Sequence, residues 1–504
     1  MTWAGGSLIR TVLLAVLAGT LLPLARTAGA ADPFELPVLA ADAKTEQHWM
    51  HVLIGGRRVG VMETTRRDDG SRVETTESMR MVLERSGSEV SLDTRTTSIE
   101  TSDGTPLAFR SESRLSGQTQ VVEGRIEEGI RAVLSLSSPT GHESRTIPWQ
   151  AGAVLVDGAE RLARKQSLAP GTTWRHVSFD ASSLLFVPVE SRVIGRETIE
   201  ISGQRRELTR IRQSADLAGS NLQVDGWHTA DHALVRALMP MFGMELELVA
   251  CEGDCSDDPI QAVDLFDFTL TRSPRALPVE ERAAVLVHTV KAPSGIPLPP
   301  ATGGQSVEAI GAGFRIRVDP IHWRGGGSAP GDTDSRANRW LEANDPVIQR
   351  AAHAATADAG DTPAKLEALV AYVRETVSNK TLDVGYASAR ETLDARAGDC
   401  TEHAVLLAAL ARAIDIPARV VSGIAYTPEW AGREHVFVPH AWVEAWTGSR
   451  WESLDAALPE GFGSGHLALA TGDGEPSGFF AAAGLLGQIE ITAIESDVLA
   501  RERP

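Results

Sequence analysis

Long apolar runs are missing from this chain after its first 25 residues, so no integral membrane helix is expected in the remainder. Positive charge is also in short supply: 48 Lys and Arg face 67 Asp and Glu, a formal net charge of −19. That balance argues against a nucleic-acid partner held through phosphate contacts, and it favours solubility. No internal repeat and no low-complexity block stands out. Cysteine is scarce, with only Cys251, Cys255 and Cys400 in 504 residues. Cys251-Glu-Gly-Asp-Cys255 has turn residues between its thiols and suits a small disulfide loop in an oxidising compartment. Two free thiols or a weak metal site are the alternatives. Pairing those two leaves Cys400 as the odd, free thiol.

What is present at the N-terminus reads as a processing signal. Arg10 precedes the apolar segment 11–25, which is broken by Gly19 and Pro23 and is too short to span a membrane comfortably. Ala28-Gly29-Ala30 then offers small residues for cleavage. No cysteine follows for a lipid anchor and no twin arginine precedes. The expectation is export by the general route, cleavage after Ala30, and a periplasmic or secreted mature protein. Losing the two arginines of that segment lowers the formal charge from −19 to −21.

A chain of this length suggests two to three domains. Residues 1–30 form the signal and 31–275 a β-rich domain. Residues 276–335 form a Pro/Gly-rich connector with short strands, and 336–504 a second, mixed α and β domain. In the β-rich part, 49–54, 60–65, 90–99 and 118–130 carry recurrent Val, Thr and Ile, punctuated by Gly, Asp and Ser. The strand rhythm continues over 188–248. This predicts one large antiparallel barrel or sandwich, or two smaller sheets. His228, Asp231 and His232 superficially resemble a metal cluster, but on alternating strands they are expected to face solvent or a turn. Met239, Met241 and Met244 are expected to fill a gap under a hairpin, not to hold copper. The domain binds or positions a substrate, shields the catalytic cleft, or is purely structural. In the connector, Gly325-Gly326-Gly327-Ser328 reads as a loop, since no following lysine or strand–helix frame marks a phosphate cradle.

The chemistry concentrates near the C-terminus. The run 403–414, HAVLLAALARAI, is apolar all round, as in a buried helix. Asp399 suits its N-cap, and Glu402, three residues on, completes a capping-box pattern. Cys400 then occupies the first helical position, where the helix dipole stabilises a thiolate and first-turn amides can help hold an oxyanion. His440 opens an alternating stretch: His440, Trp442, Glu444 and Trp446 share one strand face, and Ala441, Val443 and Ala445 the other. Thr447-Gly448-Ser449 reads as a turn, and 450–454 as the returning strand. Asp455 ends that strand and can accept a hydrogen bond from the imidazole, fixing its tautomer. A cysteine at a helix start is on its own most often a small buried residue. Here the residue types, their order and their elements all fit one Cys–His–Asp mechanism of acyl transfer.

The stretch GDCTEHAVLLAALARAIDIPARVVSGIAY, followed by HAWVEAW and WESLDAALP, resembles the transglutaminase-like superfamily of papain-type cysteine enzymes. The likeness covers about residues 336–475. It implies a papain-like core with Cys400 as nucleophile, His440 as general base and acid, and Asp455 as the orienting carboxylate. His466 matches a position that follows the triad aspartate in many members, and no catalytic role is given to it. The fold expectation is therefore α+β: a β-rich N-terminal barrel or sandwich domain, then a papain-like transglutaminase-core domain. The functional expectation is an exported cysteine hydrolase that cleaves amide or peptide bonds of a peptide or protein substrate through a thioester. Glutamine transamidation, a non-catalytic scaffold, and a binding module carried by the β domain are the alternatives. No cofactor and no metal are expected. The calcium dependence of some animal transglutaminases does not carry over, because no matching acidic loop is present.

Overall fold

The computed structural model describes residues 36–496, apart from 86–87, 116–117, 139–140, 218–219, 242–243, 265, 294–295, 324, 339, 381–386, 475–481 and 483–484. The expected signal segment, 1–30, lies outside the described residues. No described helix is long and apolar enough to cross a membrane. The chain forms two compact units that divide at Asp264/Leu265.

The first unit is built on one sheet of fifteen strands. Strand follows strand as a meander, because alternating Val, Thr and Ile segments are joined by tight Gly- and Asp-containing turns. The first strand, Lys44–Ile54, lies in the middle of the sheet, between Arg57–Asp68 and the last strand, Met244–Ala250. The two arms end at Gly141–Pro148 and at Ala153–Val154, the latter parallel to Thr173–Asp180. The helix Val156–Arg164 touches both arms: Arg72–Arg85 and Ser88–Thr101 on one, Ala153–Val154 and Thr173–Asp180 on the other. The single sheet therefore rolls around this helix. Its first turn is held by Glu100, fully buried, whose carboxylate accepts from the Asp157 and Gly158 amides at 2.7 and 2.9 Å. The helix dipole and two otherwise unmet amides favour that carboxylate there.

Cys251 and Cys255 are joined in a disulfide, and Cys400 is free. Of the two expected settings, solvent or a turn, His228 takes the second: it is buried, and its Nδ1 meets the His232 carbonyl of the adjoining turn at 3.2 Å. Met239 is buried, while the side chains of Met241 and Met244 lie outside the described residues.

The second unit begins earlier than residue 276. Thr271–Arg272 pairs with Arg433–Trp446 and so belongs to the C-terminal sheet. The stretch read as a connector is likewise built in. Leu286–Lys291, Gln305–Ile310 and Gly313–Val318 form a four-stranded sheet with Glu490–Ser496. The buried Leu286, Val290, Phe314, Ile316 and Val318 alternate with less buried residues, so its short strands have one core-facing side. The larger sheet of this unit runs Thr271–Arg272, Arg433–Trp446, Ala418–Trp430, His466–Gly472, with Trp451–Leu454 paired to Arg433–Trp446. The helix Cys400–Ala413 packs on Arg433–Trp446 and Ala418–Trp430 and is surrounded by Pro346–Ala355, Thr362–Thr376 and Ala389–Ala395. Its apolar residues are buried on every side, and the Ala404, Ala408, Ala409 and Ala411 side chains let its neighbours approach closely.

Candidate active site

Cys400 is the first residue of the helix, half-buried. Asp399 is its N-cap: Oδ1 accepts from the Thr401 amide at 2.8 Å, and the Asp399 amide donates to Glu402 Oε2 at 2.9 Å. This is the reciprocal capping box read from the sequence. Glu402 is buried, and its Oε1 also accepts from the Ala387 amide at 3.1 Å. Burial, with Asp399 nearby, raises its carboxyl well above the ordinary range. Gly398 is required by that packing, since a Cβ there would lie 2.4 Å from Glu402 Cβ.

His440 sits on Arg433–Trp446 and is buried. Ala441, Val443 and Ala445 point into the helical core, as the alternation predicts. The hairpin register pairs Trp446 with Trp451 and Val443 with Leu454. One further step places Asp455 on the His440 and Trp442 side of the hairpin. The His440 Nε2–H donates to Asp455 Oδ2 at 2.8 Å, leaving Nδ1 for the hydrogen bond to the Cys400 side chain. Burial alone lowers the proton affinity of His440. Asp455 and Cys400 outweigh it, and together they push the imidazole up to about 10. Burial likewise acts against the Asp455 anion, but His440, and His466 beside it, hold its carboxyl far below the usual range.

The structure therefore brings Cys400, His440 and Asp455 into one chain of hydrogen bonds, from three separate elements. It also adds groups that sequence reading did not assign. His466 Nε2 donates to the same Asp455 Oδ2 at 2.9 Å. Asp455 Oδ1 accepts from the Ala457 and Leu458 amides at 2.7 and 3.1 Å. The loop carrying it is pinned from the helical side. Arg374 donates to the Asp455 and Leu458 carbonyls at 3.1 and 2.9 Å, and Lys380 to the Ala457 carbonyl at 2.6 Å. Nothing local in the sequence marks Arg374 or Lys380, because their partners lie about 80 positions away and are backbone atoms. Trp442 and Phe462 line the cluster beside His466, with ring centroids 5.2 and 4.8 Å from its ring.

The Nε2 atoms of both histidines and Asp455 Oδ2 lie close enough together to hold an ion, but the two N–H···O contacts already engage all three atoms. His51 approaches Cys251 and Cys255, whose sulfurs are committed to the disulfide.

Residues 349–456 match the transglutaminase-like superfamily, and this part of the chain is a transglutaminase-like core domain. No curated protein matches the chain. Among solved structures, it is similar to a candidate cysteine protease from Cytophaga hutchinsonii, at 18% identity over 43% of this chain and 85% of that one, with a TM-score of 0.26. It is also similar to a β-barrel-like protein of a domain family of unknown function from Brucella abortus. There the identity is 12% over 42% of this chain and 95% of that one, with a TM-score of 0.32. A candidate protease from Parabacteroides distasonis is 10% identical over 70% of this chain and 67% of that one, with a TM-score of 0.20.

Proposed function

We propose that this protein is an exported cysteine hydrolase that cleaves amide or peptide bonds of a peptide or protein substrate through a thioester on Cys400. The observation that carries the reading is the buried His440, bonded through Nε2 to Asp455 at 2.8 Å, which leaves its other nitrogen for Cys400 at a helix N-terminus. That arrangement lets His440 take the thiol proton of Cys400. The thiolate attacks the carbonyl carbon, and the carbonyl π pair moves onto oxygen. The oxyanion lies near the Cys400 amide, since the Thr401 amide is already engaged by Asp399. On collapse the C–N bond breaks, and His440 gives its proton to the departing amine. Water then attacks the thioester while His440 takes its proton, and the thiolate leaves. The Cys251–Cys255 disulfide and the N-terminal sequence support export to an oxidising compartment.

The test is the pH dependence of Cys400 alkylation by iodoacetamide in wild type and His440→Ala. Fast labelling well below a free-thiol pKa of about 8.5, lost without His440, is the expected result. An ordinary thiol profile in both proteins would sink the reading. Peptide mixtures with and without a primary amine then separate hydrolysis, which releases acid, from transamidation, which incorporates the amine.

A further inference from the structure

We infer that His466 is a positioning residue for the Cys400–His440–Asp455 set, acting through the carboxylate it shares with His440. The inference rests on the function proposed above and adds a fourth side chain to it.

Asp455 is buried and accepts four hydrogen bonds, two on each oxygen. Oδ1 takes the Ala457 and Leu458 amides, and Oδ2 takes His440 and His466. A carboxylate has about four acceptor sites, so this one is saturated and cannot rotate without breaking several bonds. The state of His466 follows from its own partners. Its Nε2 faces a carboxylate, which can only accept, so Nε2 carries the proton. Its Nδ1 lies 3.2 Å from the Gly463 amide, which can only donate, so Nδ1 accepts in the neutral ring. The Gly463 carbonyl at 3.1 Å is the alternative contact of that nitrogen. Burial also lowers the proton affinity of His466. Phe462 and Trp442 pack against the ring, and His440 lies 5.6 Å away, tilted by 60°.

A neutral donor on Oδ2 does two things. It fixes the oxygen at the place where the His440 Nε2–H must point. It also draws charge away from that oxygen, so Asp455 holds the His440 imidazolium less tightly than an unshared carboxylate would. The consequence is specific to the chemistry. An imidazolium held too tightly still leaves the thiolate reactive, but it is a poorer acid toward the departing amine.

The experiment uses the full mature chain as wild type, His466→Phe and His466→Gln. Alkylation by iodoacetamide is followed from pH 5 to 11, and the downfield imidazole N–H protons by NMR. In wild type, low-pH labelling that depends on His440 tests the parent reading separately. The second inflection, where His440 loses its proton, is expected to move up by about 0.5–1 pH unit in His466→Phe. The Phe variant should also lose one of two downfield protons, and the plateau labelling rate should stay within a few-fold. His466→Gln, whose amide can restore a donor to Oδ2, should return the inflection toward wild type. An unmoved inflection in a folded His466→Phe, with wild-type labelling intact, overturns the role of His466 while leaving the parent reading standing. If the Phe variant does not fold, a single downfield proton in wild type, or an inflection in His466→Gln displaced as far as about 1 unit, overturns it as well.

Discussion

Replacing Asp455 by Asn separates the architecture of the site from its chemistry. The Asn side-chain oxygen can keep the Ala457 and Leu458 amides that Oδ1 now holds at 2.7 and 3.1 Å. The amide nitrogen then falls where Oδ2 was, facing Nε2 of both His440 and His466. Two donors cannot face a donor, so His440 must move its proton to Nδ1, the nitrogen that meets Cys400. A ring protonated there cannot accept the thiol proton. The fold should survive at a cost of about 1–3 kcal/mol for the exchanged Oδ2 contacts. Labelling of Cys400 at pH 6 should fall much further. An unassisted thiol with a pKa of about 8.5 is ionised to about one part in 300 at that pH, so the fall should approach about 300-fold. Stopped-flow alkylation, with thermal unfolding as a parallel control, reads both quantities. A folded Asp455→Asn that still labels at the wild-type rate at pH 6 would refute the assignment of Asp455 as the group that sets the imidazole.

Three further outcomes follow from separate features. Gly398→Ala should destabilise the second unit by about 1–3 kcal/mol, because the new methyl meets the Glu402 stem at 2.4 Å; a thermal melt unchanged from wild type would contradict it. Removing the disulfide with Cys251→Ser/Cys255→Ser closes off a five-residue loop constraint worth about 2 kcal/mol. The first unit should unfold at lower denaturant, while Cys400 labelling should not change. On the acid side, His176, His228 and His288 are buried and held down to about 4 by burial. Their folded pKa lies below the unfolded value near 6.5, so the unfolded chain binds more protons as pH falls. Stability they support is complete above about 6.5 and is lost progressively as pH falls through about 4. Urea midpoints that stay constant between those limits would show that these rings titrate freely.

Much of the second unit was legible because its signals are local. Asp399 and Glu402 sit three apart and meet in one helical turn. Ala441, Val443 and Ala445 alternate in sequence and meet the helix in space. The β-rich character of the first unit was equally readable, since each strand carries its own period-two pattern. What stayed hidden depends on distance along the chain. The pairing of Lys44–Ile54 with Met244–Ala250 joins the start and end of the meander, and no turn between them announces it. The connector looked like a linker because Pro crowds 293–300 and Gly crowds 325–327. Its three strands pair with one another, and Leu286–Lys291 takes its second partner, Glu490–Ser496, from far downstream.

The same distinction explains why three members of the candidate site could be chosen from the sequence and the others could not. Cys400, His440 and Asp455 each belong to a residue type that chemistry demands, and each stands at the edge of a readable element. Arg374 and Lys380 act on carbonyl oxygens of the loop 455–458, and a carbonyl is present at every position. A sequence therefore gives no reason to prefer one lysine or arginine for the task. Their contribution is to hold the loop so that Asp455 meets two histidines at 2.8 and 2.9 Å. Arg374→Met keeps most of the apolar stem and deletes the donors to Asp455 and Leu458. It should loosen the carboxylate without touching any titrating group. Low-pH labelling of Cys400 should fall by several-fold, less than the effect of Asp455→Asn, with no change in the pH of its inflections. A shifted inflection would show instead that Arg374 acts through its charge.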